Sequence, residues 1–206
     1  MKHLAIVLAL SAVPSVAAAD GDRLAPGTDL VDGYVPAVVD VLREAFGDGV
    51  QVNALVLPSF GNEYAVGTKV THGQWFVFVT TAKAHIWVAL LDKKPIAAIG
   101  EDVCEAPISA SLGGGIGLVW QGMLRRKTAD SEPPNGVDGT SWLFAGQVDG
   151  KLSIGMTWSP PPDSQRGKLV AIAESMAALC KGRTDAQRAT LDGEVGELQR
   201  ALQTAP

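Results

Sequence analysis

Apolar residues crowd most densely in residues 73–91 (GQWFVFVTTAKAHIWVALL), where Trp75, Phe76, Phe78 and Trp87 stand among valines, an isoleucine and leucines. Such a run cannot remain in water, so the rest of the chain must supply surfaces that cover it. Two segments of strand character precede it. Residues 50–57 (VQVNALVL) alternate at first and then become apolar on both faces, the pattern of an interior strand. Residues 63–70 alternate through Tyr64, Val66, Thr68 and Val70. With breaks at 58–62 and 71–73, these two segments and residues 75–81 predict an antiparallel meander. Residues 82–94 fit either a further strand or a short helix. Ile86, Trp87, Leu90 and Leu91 share a helical face, the segment is alanine-rich, and Lys93-Lys94 precede Pro95. These features favour the helix.

Upstream, residues 20–32 are polar, with Gly21, Pro26 and Gly27, and predict an extended leader. Residues 34–46 predict a helix with Val35, Val38, Val39, Leu42 and Phe46 on one face, Asp32 as its cap and Gly47 at its end. Downstream, residues 95–102 predict a short strand leading to Cys104. Residues 107–127 show helical periodicity through Ile108, Leu112, Ile116, Val119, Trp120 and Met123. Gly113, Gly114, Gly115 and Gly117 oppose that helix, each by about 0.5–1 kcal/mol relative to alanine. Either a helix packs very closely there or its first turns are a loop and only Gly117 onward is helical, and the periodicity favours the helix.

Residues 128–139 predict an exposed loop around Pro133-Pro134-Asn135-Gly136. Residues 140–148 and 151–158 flank Asp149-Gly150, a strong hairpin signal. Ser164 or Asp163 then caps a helix to Lys181, with Leu169, Ile172, Ala173, Met176 and Cys180 on its apolar face. Thr184 with Gln187 forms a capping-box pattern for a last helix, 184–206, which Gly193 and Gly196 weaken and which needs a surface to dock on. The sum is a single α+β domain over residues 20–206: a mostly antiparallel sheet of five or six strands with helices packed on one face.

The first nineteen residues carry a different message. Lys2 followed by the apolar residues 4–13 (LAIVLALSAV), Pro14 and Ala17-Ala18-Ala19 predicts a signal peptide over 1–19, cleaved near Ala19. The apolar run is too short to span a bilayer, and no later run reaches the length of a membrane helix. The remainder is expected in the periplasm or outside the cell. A formal net charge of −5 over 206 residues, more acidic once Lys2 is removed, gives no footprint for nucleic acid. In an oxidising compartment the two cysteines, Cys104 and Cys180, favour a disulfide. The alternative is that Cys180 is a core residue of its helix.

Three groups of residues carry a resemblance: Leu57-Pro58-Ser59-Phe60 with Glu63, Trp120 to Leu124, and Asp138-Gly139-Thr140 with Phe144 ahead of Trp158-Ser159-Pro160. The chain resembles a group of small exported bacterial proteins of uncharacterised function. The resemblance implies export and a single domain, and it implies no activity.

Candidate chemistry is thin. Past the signal peptide only His72 and His85 remain, with no H-E-x-x-H spacing. Ser109 to Gly113 lacks the first glycine of a nucleophile elbow, and the glycines 113–117 match no phosphate-loop pattern. No catalytic, cofactor or metal-binding set is identified. Glu63 with Glu101 or Asp102, and Glu105 nearby, could form an acid–base pair, although carboxylates in loops are usually solvated. Phe60, Glu63, Tyr64, Trp142 and Trp158 are the candidate binding surface, weighed against ordinary packing of each aromatic. The leading reading is a non-catalytic exported domain that binds a protein or an envelope component. The alternatives are a carboxylate hydrolase acting on cell-wall or polysaccharide material, and a carrier of a small apolar ligand in a cavity behind Trp75 and Trp87.

Overall fold

The computed structural model describes residues 22–27, 33–128 and 138–204. The expected signal peptide, the Asp32 cap and most of the 128–139 loop lie outside the described residues. The strands are β1 (Ala25–Pro26), β2 (Val50–Pro58), β3 (Tyr64–Thr71), β4 (Gln74–Ala82), β5 (Glu101–Ile108), β6 (Thr140–Val148) and β7 (Lys151–Trp158). They make one seven-stranded sheet in the order β1-β7-β6-β2-β3-β4-β5, antiparallel at every pairing. The helices are α1 (Tyr34–Val41), α2 (Ile86–Leu91), α3 (Ala110–Arg125), α4 (Gln165–Gly182) and α5 (Asp185–Thr204). None of the described helices is long and apolar enough to cross a membrane.

Local chemistry sets the connections. Thr71 faces Gln74 and Val148 faces Lys151 across two-residue turns. Both residues of each turn have positive φ: His72 at 51° and Gly73 at 79°, Asp149 at 51° and Gly150 at 76°. That is the turn whose twist matches a hairpin, and it places His72 at a surface corner. Ser164 caps α4 by accepting the Gly167 N–H at 3.0 Å, and Thr184 with Gln187 forms the capping box that opens α5.

The α+β class stands, with a wider sheet than five or six strands and with helices on both of its faces. Alternation in the strands explains why. Val52, Ala54 and Val56 of β2 and Val77 and Val79 of β4 point to one side, where α3 and α4 cover them and α5 packs against both helices. Leu55 and Leu57, with Phe78 and Ala82, point to the other side, where α1, the 3-10 turn Arg43–Phe46 that follows it, and α2 cover them. Covering only one face would leave the second apolar set in water. Residues 82–94 do contain a short helix, α2. Residues 95–102 are not a strand: Ile96–Ala98 is a 3-10 turn, and the strand runs from Glu101 to Ile108. Pro107 therefore belongs to β5 and not to the helix that follows. At the sheet edge its missing N–H costs no ladder bond.

Cys104 on β5 and Cys180 at the end of α4 form a disulfide, with Cα atoms 5.9 Å apart across 76 residues of sequence. It fastens the edge strand to the helical layer, and in the chain-entropy account a loop of that length stabilises by about 4 kcal/mol.

The glycines of α3 divide into two kinds. A Cβ at Gly113 would stand 2.2 Å from Trp75 Cε3, so the helix lies directly on the indole of β4. At Gly117 a Cβ would meet nothing within 4 Å. We expect Gly113→Ala to cost about 1–3 kcal/mol through overpacking, and Gly117→Ala to stabilise by about 0.5–1 kcal/mol through helix propensity. Urea denaturation of the two variants beside the parent protein checks both signs.

Candidate functional site

Three connections meet at one end of the sheet: residues 59–63 after β2, residues 138–139 before β6, and residues 159–164 after β7. They are laced together by backbone and serine hydroxyl groups. Ser59 N–H donates to the Gly139 carbonyl at 2.8 Å, and Gly139 N–H donates to Ser59 Oγ at 3.0 Å. Ser159 N–H donates to the Thr140 carbonyl at 3.0 Å, and Thr140 N–H donates to Ser159 Oγ at 3.1 Å. Each serine thus serves a neighbouring connection twice, as donor and as acceptor. Gly139 is required at the centre: a Cβ there would lie 2.6 Å from Trp158 ring atoms and from Ser159 Oγ. The result is a platform on which these three connections are joined by hydrogen bonds.

Phe60 projects from it with 78% of its surface exposed, more than any other large hydrophobic side chain among the described residues. The other candidate aromatics are less exposed. Trp142 is buried, 3% exposed, stacked on Phe144 at 6.1 Å between ring centroids. Tyr64 is half-buried, edge-on to Trp142 at 6.2 Å. Trp158 is half-buried under Gly139. Ordinary packing accounts for Tyr64 and Trp142, and the structure brings only Trp158 to the platform with Phe60.

Glu63 departs most from a surface carboxylate, for it is 0% exposed. Its Oε1 accepts the Tyr34 hydroxyl at 2.7 Å and the Trp87 N–H at 3.0 Å, and its Oε2 accepts the Ile86 N–H at 2.8 Å. His85 Nε2 stands 3.5 Å from the same Oε1. Burial, and then the hydrogen bond to Glu63 and its charge, push the Tyr34 phenol far above its ordinary pKa. The carboxylate is a cap supplied from outside the helix: His85, the residue at the N-cap of α2, makes no side-chain capping bond. The sequence did carry one sign of it. Ala84-His85 before Ile86 offers no Ser, Thr, Asp or Asn to satisfy the first N–H groups of a helix.

The remaining candidates are separated. Glu101 and Asp102 are successive residues of β5 and point to opposite faces. Asp102 pairs with Lys83 at 3.1 Å, and Glu105 pairs with Lys69. Trp75 and Trp87 also lie on opposite sides of the sheet, one against α3 and the other on Tyr34 at 5.1 Å. They do not line one cavity. Among the described residues no group of three His, Cys, Asp or Glu side chains is gathered to hold a metal ion.

On the face that carries α3 and α4, burial and then the neighbouring Glu194 raise the Glu174 pKa, and burial followed by Glu174 pushes the Tyr64 phenol up to about 12. No family model matches the chain, and neither a curated protein nor a solved structure matches it significantly.

The geometry carries two expectations about stability. Glu63→Gln turns an amide N–H toward donors and removes a charge that three N–H and O–H groups share, and it should cost about 2–4 kcal/mol in chemical denaturation. For Glu174 the folded pKa lies above the unfolded one, so its ionised form opposes folding. The cost is present above the folded pKa and vanishes once the pH falls below the ordinary glutamate range. Glu174→Gln should therefore raise the melting temperature at neutral pH, with the gain disappearing in acid, as thermal melts across a pH series would register.

Proposed function

We propose that this protein is an exported, non-catalytic binding domain that docks to a protein of the cell envelope through Phe60 and the loops that hold it. The observation that carries the reading is an aromatic side chain, 78% exposed, on a platform fixed by reciprocal hydrogen bonds. Leaving a phenyl ring in water costs free energy that a partner's pocket would recover, and the backbone beside it is already fixed by the hydrogen bonds at Ser59. Anchors of that kind dominate many interfaces. Export enters the proposal through the predicted signal peptide, and the Cys104–Cys180 bond suits an oxidising compartment. The resemblance to small exported bacterial proteins points the same way. Three of its pieces, at 57–63, 138–140 and 158–160, converge at this one end of the sheet, while Trp120 lies in the core.

Phe60→Ala tests the proposal. With the side chain so exposed, the melting temperature should stay within a degree or so of the parent. Cross-linking in the native envelope fraction should lose the partner recovered with the parent protein, whereas Leu152→Ala, at an exposed site on β7, should retain it. Retention of the same partner by Phe60→Ala would overturn the reading.

A further inference from the structure

Away from the loop platform, a cavity of about 280 Å³ opens on the less covered face of the sheet. It lies between the end of α1 with its 3-10 turn and the segment after α2, and its lining residues are Asp40, Val41, Arg43, Ile96, Ala97 and Ile99. The two sides differ in chemistry. Asp40 and Arg43 come from one side, three positions apart, and neither side chain makes a hydrogen bond or a close ion pair among the described residues. Ile96, Ala97 and Ile99 come from the other and are apolar. Opposite charges this close in sequence commonly pair with each other, at little gain in water. Here they remain separate and open to an occupant.

A second feature stands beside the cavity. Glu101, two residues after Ile99, has an Oε2 closed off from solvent with no hydrogen-bond partner. Its pKa is raised by burial and then by Glu44, with Arg43 offsetting both. Arg43 thus stands among Asp40, Glu44 and Glu101, a surplus of acid that disfavours a simple anion as ligand and favours one that also carries an ammonium. The volume is at the small end for ligand pockets, which limits the occupant to a molecule the size of one amino acid.

We propose that this cavity binds a small zwitterion with an apolar body, the chemistry of a free aliphatic α-amino acid. The carboxylate meets Arg43, the ammonium meets Asp40, and the hydrocarbon side chain lies against Ile96 and Ile99. The assignment is independent of docking through Phe60, which is on a different part of the molecule.

Calorimetric titration of the purified protein with leucine, leucinol and 4-methylpentanoate tests it, since the last two each lack one of the charges. Leucine should bind, and each analogue should bind at least about tenfold more weakly, the size expected for losing one charge-assisted hydrogen bond. Arg43→Gln should weaken leucine and leave leucinol unchanged, and Asp40→Asn should weaken leucine and leave 4-methylpentanoate unchanged. Both side chains are exposed, so the fold should survive either change. Amide shifts on adding leucine should centre on residues 40–43 and 96–99. Failure of leucine to bind, equal binding of the three compounds, or indifference to both substitutions would overturn the proposal.

Discussion

Strand β4 is apolar on both sides, and β2 shares that property two positions away in the sheet. A pleated strand sends successive side chains to opposite faces, so no single layer of helices can dry both. The division of the helices follows from this. The long α3 and α4, with α5 packed on them, cover the broad face, and α1 with the short α2 covers the other. Trp75 and Trp87, close in sequence, are parted by the same alternation and the turn into α2. The glycine at 113 is the clearest trace of the pressure on the broad face, because an indole and a helix backbone can meet there only if no Cβ intervenes.

The thinner layer needs a different kind of support. A six-residue helix such as α2 does not hold itself together in water. Ile86 gives it an apolar anchor, and Glu63 gives it a polar one by accepting its first N–H groups. A buried carboxylate is tolerable because its oxygens are met by donors, and Tyr34 joins α1 to the same point. The connection of residues 59–63 therefore has two jobs at its two ends. Near Ser59 it is stitched to the neighbouring loops, and at Glu63 it is sunk into the protein. Phe60 stands between these fixed points, so the chain that presents the exposed ring is tethered on both sides.

Much of the scaffold was legible in the sequence because it depends on neighbours along the chain. The Asp149-Gly150 hairpin, the Ser164 cap and the Thr184–Gln187 box follow from local turn and capping chemistry, and α2 from the helical spacing of its apolar residues. The misplaced elements depend on contacts made far away. Pro107 reads as a helix start until its strand is known to lie at the sheet edge, and the number of helical layers depends on which face each short helix meets. The candidate site divides along the same line. Phe60 was legible as an aromatic in a loop. Glu63 was legible as a singular carboxylate but not as a buried one, because its donors come from residues 34, 86 and 87. Asp40 and Arg43 carried no signal at all, since their apolar counterparts are some fifty residues further along the chain.

One feature of the sheet bears on how molecules of this protein meet each other. A strand at a sheet's border offers its backbone to any passing strand, and an antiparallel sheet can grow indefinitely by that route. Here the border strand β5 carries Glu101, Asp102 and Glu105, and Pro107 withholds one donor. Two copies approaching edge to edge would meet charged side chains, Asp102 and Glu105 among them held in pairs with Lys83 and Lys69, while the disulfide at Cys104 keeps that strand from peeling away to find another partner. The same residues that finish the sheet keep it from becoming a ribbon.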